Sequence, residues 1–255
     1  MSHSNWGNKE AWNSHAERYF DEKELRVDKV DYCGLYYPNE DDLQLMGDVN
    51  GLKVLEIGAG SCNCGIALAL KGADVTCIDI SEEQIKLGSK AAEKNGVKIK
   101  TMVMDMEEIK GLEKSSFDLI ISVCALMYIQ NLHKVFKEVS DLLKRNGIFV
   151  FSVDHPMLQA LGAKELWPEE KESWSYNYSG RVDWKWFKED TFQFTTYRRP
   201  IMEYVNALAQ NGLYIDYMQE AYPVMCDCNW SDAEILSRNR FPSILICRVL
   251  KLTEL

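Results

Sequence analysis

Four side chains in this sequence combine the right residue type with the right position to do chemistry: Glu56, Asp79, Asp105 and His155. Glu56 lies in Val54-Leu55-Glu56-Ile57, a short apolar run entering Gly58-Ala59-Gly60. Two glycines there let the chain turn sharply and bring its backbone close to a ligand. Asp79 closes a second apolar run, Asp74 to Ile78, and Asp105 follows a third, Val97 to Val103. His155, in Asp154-His155-Pro156, follows the run Ile148 to Val153. An imidazole of ordinary pKa can take a proton from a nucleophile at neutral pH, which makes His155 the candidate catalytic base.

The elements around these residues decide where they point. Ile66 to Leu70 carry a helical apolar face that Gly72 ends, so residues 53–81 read as strand, glycine turn, helix, strand. A βαβ unit of this kind places a nucleotide-like ligand over the carboxyl ends of its parallel strands, and His155 at another strand end faces the same crevice. A dinucleotide site wants a third glycine in G-x-G-x-x-G, and here that position is Asn63. Glu56, two residues before Gly58, disfavours a pyrophosphate. An acidic first turn suits a ligand with a cationic group and no phosphate, and S-adenosylmethionine (SAM) is such a ligand. Asp79 lies where an acid accepts both ribose hydroxyls.

The pattern Glu56-x-Gly58-x-Gly60 followed by Asp79 resembles the first two motifs of class I SAM-dependent methyltransferases, with Cys62 where many members have a third glycine. The Phe117-Asp118-x-Ile120 opening of a fourth strand is similar to the family as well. The resemblance implies an α/β fold: a Rossmann-like, seven-stranded, mostly parallel sheet with one antiparallel strand, helices on both faces, and an aromatic-rich insertion after the fifth strand. It implies SAM as cofactor and S-adenosylhomocysteine (SAH) as product. Glu56, Gly58, Ala59, Gly60, Asp79, Ile80, Asp105, Met106 and Cys124 would hold the cofactor, with Asp105 accepting from the adenine amino group. Tyr19 would join them from an N-terminal helix folded over the methionine end. Asn or Asp followed by Pro-Pro and an aromatic marks amino-methylating relatives, whereas this chain has Ser122-Val123-Cys124-Ala125. Methylation of base amines or glutamine amides is therefore not expected. Two other readings stay open: an NAD-binding oxidoreductase, and a catalytically silent SAM-binding regulatory or scaffold protein.

A chain of 255 residues is enough for one large α/β domain. Its net charge of −10 argues against nucleic-acid and anionic-membrane partners, because phosphate binding needs concentrated Lys and Arg. The start MSHSNWGNKE shows no apolar signal, and Phe117 to Ile129 is too short for a membrane span, so a cytoplasmic protein, monomer or homodimer, is expected. Cys62-x-Cys64 and Cys226-x-Cys228 have poor spacing for zinc, so no metal site is expected and the eight cysteines read as reduced thiols.

The remaining segments divide by pattern. Residues 1–50 read as a mostly helical cap, with Trp12, Ala16, Tyr19 and Phe20 on one face. Residues 51–156 form the cofactor-binding core. Ser81 and Gln84 make a capping box, and an amphipathic helix runs from Asn131 to Arg145 until Asn146-Gly147. Residues 157–197 break the βα rhythm and are packed with aromatics, suited to enclosing a small-molecule acceptor. Tyr128, Trp174 and Tyr197 are the candidate acceptor contacts. Residues 198–255 supply a helix with Ile201, Tyr204, Val205 and Leu208 inward, and the last two strands. Arg198 and Arg199 read as solvated charges, and Phe241-Pro242 places the final strand at a sheet edge.

Overall fold

The computed structural model describes residues 6–22, 26–34, 37–158, 160, 175–223 and 241–251. Trp174, one of the candidate acceptor contacts, and the pair Cys226 and Cys228 lie outside them, as does the side chain of Tyr19.

Five parallel strands carry the core: β1 (Lys53–Ile57), β2 (Asp74–Asp79), β3 (Lys100–Val103), β4 (Phe117–Val123) and β5 (Leu143–Asp154). After the two-stranded hairpin β6 (Gly180–Trp184) and β7 (Phe194–Arg198) come β8 (Leu213–Ala221) and β9 (Ile244–Lys251). The main sheet runs β3-β2-β1-β4-β5-β9-β8, and β9 is antiparallel to both neighbours. This is the expected seven-stranded sheet with one reversed strand. β1 and β4 are apolar on both faces because both faces are covered.

Helices cover the two faces separately. α1 (Trp6–Glu22), the short α2 (Glu40–Leu43), α3 (Asn63–Leu70) and α4 (Glu82–Lys94) precede the fourth strand, and α5 (Leu132–Leu142) and α6 (Ile201–Ala209) follow it. Val54, Ile66, Leu68, Val75 and Ile121 pack in one core, while Leu55, Ile120, Phe136, Phe149 and Leu208 pack in the other. Neighbours in a strand thus enter opposite cores, as period-two geometry requires. Burying such side chains contributes roughly 1.5–3 kcal/mol each.

Five expectations need correction. α5 stops at Leu142, because Leu143 is already extended and pairs with Phe117; residues 144–147 then bulge out before Ile148 pairs with Leu119. β9 is interior, and Pro242 is harmless because it lies ahead of the ladder. In α6 it is Ala207 that turns inward with Tyr204 and Leu208, while Val205 is exposed. Arg198 and Arg199 are buried: Arg199 donates to the carbonyls of Tyr197, Ile129 and Gln130 at 3.0, 2.6 and 2.8 Å. The segment 26–34 between α1 and α2 is non-helical.

Candidate functional site

Glu56 leaves β1 between its parallel neighbours β2 and β4, opposite Cys77 and Ile121, and is buried. Its Oε2 accepts the Gly65 N–H at 2.8 Å and the Cys77 thiol at 3.4 Å. Burial pushes its pKa up to about 7; the hydrogen bonds pull it down and the charge of Asp79 adds to the rise. The chain then turns at Gly58, whose φ is +64°. A Cβ there would stand 2.4 Å from Ala125 Cβ and 2.6 Å from Met106 Cε, so glycine is required.

The loop closes into α3 without a side-chain cap, through Cys62 in the left-handed region at φ +59°. That is the conformation a third glycine would take more easily. The close packing of helix on strand, which a dinucleotide motif assigns to its last glycine, falls here on Gly65. A Cβ on Gly65 would meet Cys77 Sγ at 2.4 Å and Glu56 Oε2 at 2.8 Å. The composition of the loop hid this, because Gly65 lies inside the helical pattern.

Asp79 is held from both sides by backbone: Oδ2 accepts the Gly60 N–H and Oδ1 the Ser81 N–H, each at 2.8 Å. Burial raises its pKa against those hydrogen bonds. Ser81 caps α4 by accepting the Gln84 N–H at 3.1 Å. The reciprocal half of the expected capping box is absent, because the Gln84 side chain turns to the loop instead. Asp105 lies past β3, where its Oδ1 accepts the Glu107 N–H at 2.9 Å.

These groups converge on one cavity of about 570 Å³. Its floor includes Glu56, Gly58, Ala59, Gly60, Asp79, Ile80, Asp105, Met106 and Cys124, so all nine of the candidate cofactor contacts in the core line one space. Tyr128 lines it too. Its roof is made by Asn8 and Trp12 of α1, by Arg26, Lys29, Asp31 and Cys33, and by Trp186 after β6. Trp12 packs edge-on against Tyr128 at 5.5 Å and Phe194 at 5.0 Å. Asn8 ties α1 to β7: its Oδ1 accepts the Thr195 N–H at 2.7 Å and its Nδ2 donates to the Thr195 carbonyl at 2.9 Å. His15 faces Asp190 at 3.0 Å and reinforces the same junction. None of these pairings has a local signature in the sequence.

His155 and Tyr197 are elsewhere. His155 is buried but does not line the cavity. Its Nδ1 accepts the Met157 N–H at 3.1 Å, which leaves Nε2–H to donate to Glu220 at 3.1 Å. Burial pushes its pKa below the ordinary value, with Glu220 acting the other way. Both nitrogens are engaged by neighbouring groups, and this candidate base stands outside the cavity that gathers the candidate cofactor residues. Tyr197 is buried in β7 with the Arg199 guanidinium 5.3 Å from its ring, away from the cavity.

The donor set can be tested against the implied cofactor. Two buried carboxylates face the cavity, and neither forms an ion pair among the described residues. That suits a ligand carrying positive charge and hydroxyl donors. The Ser61 hydroxyl, Asn63 Oδ1 and both polar atoms of Gln84 are also buried without partners and border the cavity, as a polar ligand requires. A sulfonium-bearing adenosyl amino acid fits this set; a pyrophosphate against Glu56 does not. Among the described residues no group of three His, Cys, Asp or Glu could hold a metal, and no helix is long and apolar enough to cross a membrane.

Comparison with known proteins agrees with the geometry. The family model described as a methyltransferase domain matches residues 48–197, more than half of the chain. An uncharacterized methyltransferase of Bacillus subtilis, YbaJ, is 36% identical over 110 residues, which are 43% of each chain. An uncharacterized protein of Haemophilus influenzae is 26% identical over 223 residues, covering 83% of this chain and 86% of the relative. The chain thus spans less than half of YbaJ but most of the second relative. The solved structure of an S-adenosylmethionine-dependent methyltransferase from Mesorhizobium loti superposes with a TM-score of 0.62 at 25% identity, covering 82% of this chain and 94% of that one.

Proposed function

This chain belongs to the class I SAM-dependent methyltransferases, and from that premise we propose that it methylates a small-molecule acceptor inside the enclosed cavity. The observation that carries this reading is the pair of buried carboxylates, Glu56 and Asp79, which form no ion pair among the described residues and border a cavity roofed in part by aromatic rings. When bound, SAM supplies a methyl group already activated by the sulfonium. The protein's work is then alignment and exclusion of water.

In this reading the floor residues divide the cofactor between them. Glu56 would pair with the ammonium of the methionine portion. Asp79, locked by two backbone N–H groups, accepts from the ribose hydroxyls without reorganising. Asp105 and the neighbouring Met106 backbone would hold the adenine amino group, and Ile80 would border the same end of the ligand. Gly58 brings its backbone to the ligand where a side chain would not fit. Trp12, Tyr128 and Trp186 exclude water from the acceptor side. No step is assigned to His155, whose nitrogens are both engaged. Of the thiols bordering the cavity, Cys64 is held protonated by burial, so it is no nucleophile.

Calorimetric titration with SAM, SAH and NAD tests the assignment of the cavity. Both adenosyl ligands should bind and NAD should not; Asp79→Ala should remove the binding and keep the fold. The acceptor class is tested with methyl-labelled SAM in a cell extract. Label in the low-mass fraction supports a small molecule, and label confined to protein or RNA sinks that part of the reading.

A further inference from the structure

Three half-buried rings line the cavity: Trp12 of α1, Tyr128 after β4 and Trp186 after β6. Phe194 of β7 is fully buried and does not line the cavity, yet it touches all three, with ring centroids 5.0, 6.3 and 6.1 Å away. The three rings are thus gathered around one hidden ring. Their planes are not parallel, because Trp12 meets Tyr128 at 74° and Trp186 at 76°. Asn8, one turn before Trp12, fixes the corner through the Tyr128 carbonyl and the Thr195 backbone.

Shape and charge narrow what such a corner can receive. A flat acceptor stacks on one ring face and makes poor contact with a ring at right angles to it. A compact head group meets ring surface from two directions at once. The two basic residues at the cavity, Arg26 and Lys29, are answered by Asp31 at 2.5 Å and Asp41 at 3.2 Å, so neither is left to an anionic acceptor. No histidine lines the cavity among the described residues, and Glu56, Asp79 and Asp105 are assigned to the cofactor. An alcohol or phenol, which must lose a proton to attack, meets no uncommitted base there. The π faces of the rings attract positive charge.

We propose that the acceptor is an aliphatic amine whose nitrogen head group sits in the corner made by Trp12, Tyr128 and Trp186. The inference deepens the methyltransferase reading of the cavity and rests on it. The amine reacts as its free base. Its lone pair forms the bond to the methyl carbon while the carbon–sulfur bond breaks and leaves its electron pair on sulfur. Positive charge thereby passes from sulfur to nitrogen, beside the rings, and the product ammonium then releases a proton to water. The rings stabilise charge where it develops, and no protein base is required.

The test titrates SAH-loaded protein by calorimetry with choline, a compact cation, and with its uncharged carbon isostere, 3,3-dimethylbutan-1-ol. Choline should bind about tenfold more tightly. The titrations are repeated on protein whose tryptophans are replaced by fluorinated tryptophan, which keeps the ring shape and drains charge from the π face. That protein should bind choline about threefold more weakly and the alcohol as before. Trp186→Leu should remove the preference for the cation while SAH affinity stays within about threefold of wild type. Equal affinity for the two probes, no binding of choline, or a preference that fluorination leaves intact overturns the amine assignment and leaves the cofactor reading standing. Unmodified protein that binds no SAH overturns the cavity assignment, and this inference with it.

Discussion

The floor and the roof of the cavity are built by different physics. On the floor, Glu56 and Asp79 stand at the ends of adjacent parallel strands in fixed register, and their carboxylates take N–H groups from Gly65, Gly60 and Ser81. The backbone holds these side chains. In the roof, α1 meets the β6–β7 hairpin through side chains: Asn8 on Thr195, His15 on Asp190, Trp12 on Phe194. Regular sheet structure makes the floor a rigid receptor for charge. Side-chain junctions, not the main sheet's hydrogen bonds, hold the roof in place. Changes to the floor should therefore act on cofactor affinity, and changes to the roof on stability and turnover.

Breaking the floor at its tightest point should give the largest effect. Gly58→Ala places a methyl group 2.4 Å from Ala125 Cβ on a residue at φ +64°. Strain and overpacking together should cost about 2–4 kcal/mol of stability, with SAM affinity down by at least about a hundredfold. Denaturant unfolding and calorimetry read the two separately. Gly111, whose φ is +75° with nothing within 4 Å of a Cβ and which does not line the cavity, makes the control: Gly111→Ala adds strain without the clash and should leave affinity nearly intact.

Glu56→Gln sharpens the comparison, because affinity and stability should move in opposite directions. Loss of the charged partner should weaken SAM about thirtyfold at pH 8. The sign of the stability change follows from the raised pKa of about 7. An acid whose folded pKa lies above its unfolded value stabilises the fold below the unfolded value and loses that contribution as pH rises through 7. Unliganded wild type therefore carries a penalty of about 3 kcal/mol at pH 8, which the glutamine variant escapes and which disappears near pH 4.5. The same protonation should cut wild-type SAM affinity about tenfold between pH 8 and pH 6, with a flat profile in the variant.

The same division explains what could be read in the chain beforehand. Floor residues are legible because a strand, a glycine turn and a terminal acid lie within a few residues of one another, and periodicity fixes which end of the strand they occupy. Even there, Gly65 and Gln84 were hidden: one looks like any residue of an apolar helix, the other like a capping partner. Roof residues are illegible for a different reason. Asn8 and Thr195, or His15 and Asp190, are joined only by tertiary packing. His155 shows the limit most clearly. Its place at the end of β5 is legible, but the direction of its ring depends on β9 lying between β5 and β8. That arrangement brings the Ser243 carbonyl to its N–H at 2.8 Å and Glu220 to its ring.

Opening the roof should have a smaller effect on affinity. Asn8→Ala removes both bonds to Thr195 and the 3.3 Å bond to the Tyr128 carbonyl. Stability should fall by about 1–3 kcal/mol, because the Thr195 N–H and carbonyl lose their partner. SAM affinity should change less than about threefold, while turnover falls as water reaches the acceptor side. A large loss of affinity with unchanged turnover would mean that α1 belongs functionally to the floor.

The smallest functional effect is expected at His155, which belongs to neither surface. His155→Ala should leave SAM affinity and the pH profile of turnover unchanged, because no proton of the reaction passes through its committed nitrogens. The effect belongs to stability and has a definite sign. A histidine whose folded pKa is lowered contributes stability while neutral, and that contribution is lost as pH falls below the unfolded value of about 6.5. Wild type should therefore lose stability on acidification through this window by an increment that the alanine variant lacks. Denaturant unfolding from pH 7.5 to 5 reads the increment as a difference in slope. If turnover of the variant instead loses an ionisation near neutrality, the imidazole reaches the reacting atoms after all, and strand β5 would supply chemistry as well as support.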